Sequence, residues 1–158
     1  MGSVIITGLS ELSRKMQDLE RKVSGRIARR AMNNGAGVLK KEVRQRVPVL
    51  GKSTDRRKRG TVKRNIRSKT KIQRNGQVIT RIWVKSLPDK KVKAFKQTTG
   101  KKAALNPDDP FYWWFVEFGT SKMAARPFMR PGFEAKKEAA AEVVVRTLKE
   151  ETEKAGNT

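Results

Sequence analysis

FYWWFVEFGTSKMAARPFMRPGF, residues 111–133, decides how the rest of the chain is read. The stretch holds eight of the ten Phe, Trp and Tyr residues, leaving only Trp83 and Phe95 outside it. Its lone carboxylate before the final helix is Glu117, and Gly119, Pro127 and Pro131 punctuate it. Laid out as a strand over about 111–118, it points Phe111, Trp113 and Phe115 to one face and Tyr112, Trp114, Val116 and Phe118 to the other. Both faces are apolar, so both need cover. Either this is simply the central strand of a small domain, or its second face meets another subunit.

Working outward, the 158 residues suit one domain, 1–158, with a modest core. Lys plus Arg number 38 against 15 Asp plus Glu, a net +23. That field favours a polyanion, either nucleic acid or an acidic protein surface. The charge is uneven: residues 48–110 carry 19 basic and 4 acidic residues, whereas 111–158 carry 8 and 7. With no Cys and no His, disulfides, thiolate or imidazole metal sites, Cys nucleophiles and the usual general base are all excluded. The N-terminus MGSVIITG lacks the charged and apolar regions of a signal peptide, no run has the length of a membrane span, and Ile6 breaks the myristoylation pattern. Assembly in a reducing cytoplasm is therefore expected.

Val4–Ile6 read as a short edge strand closed by Gly8. From Ser10, an N-cap candidate, apolar residues at Leu12, Met16, Leu19, Val23, Ile27, Ala31, Leu39 and Val43 mark one face of a helix over about 10–46. Gly25, Gly35 and Gly37 weaken it and predict a kink near Asn33–Gly37, and Pro48 ends it. Residues 49–60 read as a mobile basic loop. A hairpin over about 61–86 follows. A three-residue Arg74-Asn75-Gly76 loop pairs 72 with 78, 68 with 82 and 66 with 84, which gathers the apolar residues on one face. The opposite face is then Lys63, Asn65, Arg67, Lys69 and Lys71 beside Ile79, Arg81, Trp83 and Lys85, with Trp83 placed for cation–π contact. This is either a solvated sheet face or a polyanion surface. Lys69 opposite Arg81 is a like-charge pair that an anion would relieve.

Residues 87–110 show no clear periodicity and read as a long basic segment closed by Asn106-Pro107-Asp108-Asp109-Pro110. The adjacent acids suit a turn or a helix cap better than a metal. Pro131 opens a final helix over about 131–154, striped by Phe133, Ala140, Val144 and Leu148, with Gly156 as its stop. The expected fold is α+β: a small antiparallel sheet made of the N-terminal strand, the hairpin and the aromatic strand, packed by two helices.

Phe115-Val116-Glu117-Phe118-Gly119-Thr120, followed by Arg126-Pro127-Phe128-Met129-Arg130-Pro131, resembles the gene-product-10-like tail-component family of long-tailed lambdoid phages. Gly8-Leu9-Ser10-Glu11-Leu12 ahead of a basic amphipathic helix is similar to that family as well. The likeness spans nearly the whole chain in element order. The basic segments 49–60 and 87–110 and the pair Gly132-Phe133 depart from it. The resemblance implies a virion protein of the head–tail junction, a tail-completion or connector component without catalysis or cofactor.

Together with the doubly apolar strand and the basic middle, it leads to an expected ring, a hexamer, that touches other neck and tail proteins and surrounds the DNA channel. The interface residues would be Tyr112, Trp114, Glu117, Phe118, Arg126, Phe128, Met129 and Arg130. Glu117 would pair with Lys122, Arg126 or Arg130, inside the subunit or across its boundary, and Phe128 is either a core residue or a partner anchor. Contacts to DNA or an acidic partner would come from Arg56, Arg57, Lys58, Arg59, Lys63, Arg67, Lys69, Lys71, Arg81, Trp83 and Lys85. The competing expectation is a non-virion, sequence-independent nucleic-acid-binding protein, although no helix-turn-helix, RNP or zinc pattern accompanies the charge.

Overall fold

The structure, a computed structural model, describes residues 9–156, so the expected strand at Val4–Ile6 lies outside the described residues. Helix α1 (Leu9–Arg46) is the spine, 38 residues and roughly 57 Å long at 1.5 Å per residue. It buries Ala31, Ala36 and Val43, and Val47 just beyond its end. Helix assignment runs through Asn33–Gly37 without a break. Gly35 serves close approach there. A Cβ at this position would stand 2.5 Å from Val144 Cγ2 and 2.9 Å from the Ala140 carbonyl, both on helix α6 (Lys137–Gly156). Polar ties run along the same seam, with Asn34 Nδ2 donating to Thr147 Oγ1 at 3.3 Å and Arg30 pairing with Glu151 at 2.9 Å.

Strands β1 (Ile66–Ile72) and β2 (Val78–Val84) form a two-stranded antiparallel sheet, the one sheet among the described residues. Its register is the one read from the sequence: Ile66 faces Val84, Ser68 faces Ile82 and Ile72 faces Val78. The Gln73 N–H donates to the Gln77 carbonyl at 2.8 Å, leaving Arg74-Asn75-Gly76 as the loop, with Gly76 at φ 82°. One face lies on α1. The Thr70 hydroxyl donates to Asn33 Oδ1 at 2.6 Å and accepts from Thr80, Lys40 donates to Ser68 Oγ, and Arg44 donates to the Ile66 carbonyl.

Four expected segments differ. Residues 61–65 are not strand but a short helix α2 (Thr61–Asn65); it starts from Gly60 at φ 73°, and the Thr61 hydroxyl donates to the Lys58 and Pro107 carbonyls. Burial of Val62 and Thr61 outweighs their preference for a strand. Residues 87–110 hold helix α3 (Asp89–Thr99), ended by Gly100 at φ 67°, and a 3-10 turn at Ala103–Leu105. Only Val92 and Phe95 of α3 are half-buried, too few points to reveal a helical period among lysines.

The largest correction falls on the aromatic stretch, which forms helix α4 (Trp113–Phe118) and no strand. Asp109 Oδ1 accepts the Phe111 N–H at 3.1 Å, the Pro110 carbonyl accepts the Trp113 N–H at 2.9 Å, and Gly119 at φ 75° stops the helix. Helical spacing sorts the rings in a new way. Trp113, Val116 and Glu117 turn inward, while Trp114, Phe115 and Phe118 turn to solvent. The expected C-terminal helix is divided into α5 (Met129–Glu134) and α6. Val43, Val47, Val62, Ile66, Val84 and Phe128 form the core, with Tyr112, Trp113, Val116 and Met129 against it. The architecture is α+β, with a long N-terminal helix and a C-terminal helix around one hairpin.

Candidate interaction surfaces

The motif around Glu117 is built from backbone chemistry. Glu117 is 4 % exposed, and its carboxylate forms no ion pair with Lys122, Arg126 or Arg130. Instead Oε2 accepts the N–H groups of Phe128 (2.7 Å) and Met129 (3.0 Å), and Oε1 accepts that of Arg130 (3.3 Å). These are the unsatisfied donors that open α5, so Glu117 caps that helix from across the fold, where negative charge is favoured. The expected ion pair is replaced because the return loop presents N–H groups at the carboxylate and leaves the cations outside.

Glu117, Gly119, Arg126 and Phe128 act as one clasp. At Gly119 a Cβ would stand 2.8 Å from Ala125 N, the Arg126 N–H donates to the Val116 carbonyl at 2.8 Å, and Phe128 is fully buried. At Gly132, just past the motif, a Cβ would stand 2.8 Å from Val43 Cγ2, so glycine there seats α5 on α1. Glu117 and Phe128 thus point into the subunit, and Tyr112 and Met129 are half-buried.

What remains outside is aromatic and basic. Trp114 is 53 % exposed, Phe118 55 % and Phe115 48 %. Trp114 stacks between Trp113 (centroids 4.0 Å apart) and Phe118 (5.3 Å). The Arg130 guanidinium lies 6.0 Å from the Phe118 ring, and Arg126 and Lys122 are exposed nearby in the chain. Phe115, Phe133 and Met123 are exposed apolar residues that strand phasing did not single out. Helical phasing from Asp109-Pro110 places Phe111, Phe115 and Phe118 together and was the available signal.

The cationic face stands where the register put it. Lys69 faces Arg81 and Arg67 faces Trp83, and Lys69, Lys71, Arg74, Arg81 and Trp83 line an open hollow of about 960 Å³. Trp83 is exposed and has no cation–π partner among the described residues. Lys63 and Asn65, expected on the strand, lie instead on α2, Lys63 exposed there, and Lys85 is exposed just past the end of β2. The 49–60 segment touches the body of the fold through Arg57 and Lys58. The Arg57 guanidinium lies 4.8 Å from the Tyr112 ring and 5.0 Å from that of Phe111, and donates to the Ala104 carbonyl, while Lys58 pairs with Asp108 at 3.0 Å. Arg56 and Arg59 remain exposed. Burial raises the Tyr112 phenol above its usual pKa, the charges of Arg57 and Arg64 pulling the other way. Asp109 serves its turn, and no cluster of metal-ligating residues occurs among the described residues.

No helix among the described residues is long and apolar enough to cross a membrane. No curated protein and no solved structure matches the chain. Residues 10–119, most of the chain, match the HK97-gp10-like family, described as a tail component of bacteriophage HK97. The match ends at Gly119, so it contains the capping glutamate and the aromatic helix but not the return loop. The chain belongs to the HK97-gp10-like family of bacteriophage tail components.

Proposed function

We propose that this phage tail component sits at the head–tail junction as a tail-completion or neck protein, assembled as a hexameric ring around the path of the DNA. The observation that carries this reading is the outward face of α4. Trp114, Phe115 and Phe118 are about half exposed with Arg130 against the Phe118 ring, the aromatic-plus-arginine composition of protein–protein hot spots. Of the residues expected at an interface, Trp114, Phe118, Arg126 and Arg130 make the contact; Glu117 and Phe128 hold it in shape from within, and Tyr112 and Met129 support it.

The basic hairpin face, with Arg56, Arg59, Lys63 of α2 and Lys85, meets genome phosphates or an acidic neighbour. Contacts of this kind position without reading sequence and weaken steeply with salt. The role is structural, and its chemistry is non-covalent. A phage with the gene disrupted tests the reading. Filled heads and finished tails that stay apart, and join when purified protein is added, are expected; joined infectious particles made without the protein would overturn it. The like-charged Lys69–Arg81 pair over its hollow favours one other reading, a nucleic-acid-binding protein outside the virion. Retention of DNA by a monomer at moderate salt, with none of the protein in particles, would select that one.

A further inference from the structure

The geometry points to a head-to-tail contact between two copies of this chain, in which the aromatic face of α4 of one copy fills an apolar groove between α1 and α6 of the next. The inference deepens the ring reading above and rests on it for its setting. The groove encloses about 570 Å³, and Met32 and Leu39 of α1, Phe133 of α5, and Ala141, Val144 and Val145 of α6 line it. It has room for more than one ring. Phe133 is 50 % and Val145 66 % exposed, large apolar side chains left in water by the isolated subunit.

Charge names the occupant. A chain of net charge +23 repels its own copies unless a basic face meets a place where the sign reverses. Helix α6 and the turn before it are that place, with six acids against Lys136, Lys137, Arg146 and Lys149 between Glu134 and Glu153, Lys137 at the groove being neutralised by Glu134. Glu138 and Glu142 share a helix stripe with Val145 at the groove's lip, are exposed, and have no ion-pair partner among the described residues. The aromatic face carries the complement in Arg130, whose guanidinium lies 6.0 Å from the Phe118 ring. Lys122, Arg126 and Arg130 are exposed and likewise without an acidic partner among the described residues.

Docking α4 into the groove would cover Trp114 and Phe118 with apolar surface and set Arg130 against Glu138 and Glu142. The two surfaces share no residue, so each contact leaves one knob and one groove open, and addition continues until a ring closes.

The chain has no cysteine, so introduced thiols are unambiguous. Arg130→Cys and Glu142→Cys variants of the full chain, both at exposed positions, are treated with a short bis-maleimide, separately and mixed. The mixture is expected to give a cross-linked dimer that stops at two, either variant alone none, and the double variant a ladder of multimers. The ladder is expected to vanish when Phe118→Glu is added to the double variant and to weaken at least about tenfold when Trp114→Ala is added instead. Self-cross-linking of single variants to the same extent would overturn the head-to-tail geometry. If the free protein gives no ladder, the same variants in assembled particles decide: absence of the ladder there, or cross-linking of residue 142 to a different protein, overturns the contact between copies. Particles that join normally without the protein overturn the junction reading and leave this contact to the ladder alone.

Discussion

Replacing Glu117 by glutamine leaves its shape and removes its charge, which separates the capping account from an ion-pair account. The carboxylate receives three backbone N–H groups, those of Phe128, Met129 and Arg130, at 2.7, 3.0 and 3.3 Å. Hydrogen bonds to an ionised group contribute about 1.5–3 kcal/mol each and neutral ones about 0.5–1.5. Glutamine keeps one carbonyl oxygen for Phe128 and Met129 and turns an NH₂ toward the Arg130 N–H, so one bond is lost and two are weakened. The expected cost is about 2–3 kcal/mol, or roughly 5–10 °C in Tm for a chain of this size. Glu117→Ala orphans all three donors and should cost more, about 4 kcal/mol. Urea unfolding followed by tryptophan fluorescence reads both, since Trp113 and Trp114 sit on the same helix. Arg126→Ala and Arg130→Ala, at exposed side chains, should each stay within about 0.5 kcal/mol of the parent. A neutral Glu117→Gln, or an Arg126→Ala as damaging as it, would refute the reasoning.

Gly35 and Gly37 should respond in opposite directions to alanine. Gly37→Ala, with nothing within 4 Å of the new Cβ, gains about 0.5–1 kcal/mol of helix propensity, whereas Gly35→Ala meets the Ala140 carbonyl at 2.9 Å and Val144 at 2.5 Å and should lose about 1–3 kcal/mol, both read by thermal unfolding. Lys69→Glu opposite Arg81 turns a like-charge pair into an attractive one, so stability should rise by about 0.2–1 kcal/mol while affinity for duplex DNA falls, with a salt slope lower by about one unit. Tyr112 is the chain's single tyrosine, so tyrosinate absorbance reports it alone. Its folded pKa is raised by burial, so its contribution to stability is complete below the unfolded value near 10 and is lost as pH rises through the folded value. The native titration midpoint should lie above that in denaturant, and equal midpoints would contradict it.

The sequence made the long helix and the hairpin register legible because each has many periodic positions to agree upon. A slip of one residue in the hairpin would have placed Ile82 and Val84 opposite lysine and arginine, so only one register satisfied both strands. The aromatic segment was not legible in the same way. Seven apolar or aromatic residues interrupted only by Glu117 fit a doubly buried strand as well as a short helix, and the deciding information lay outside it, in Asp109-Pro110 before and Gly119 after. Once the segment is helical, Glu117 moves to the buried side with Trp113 and Val116, and its partner becomes the backbone of a loop that folds back eleven residues later. No pairwise reading of charges could anticipate that, because the donors are main-chain groups. Of the residues expected at an interface, Trp114, Phe118, Arg126 and Arg130 are exposed, whereas Glu117 and Phe128 are buried, because helical and not strand phasing sorts the segment.

The most direct test of a ring at the head–tail junction is a particle reconstruction with a label fused after Thr158. The account predicts a single closed ring of label where head and tail meet. Label spread along the tail, or missing from the particle, would contradict it.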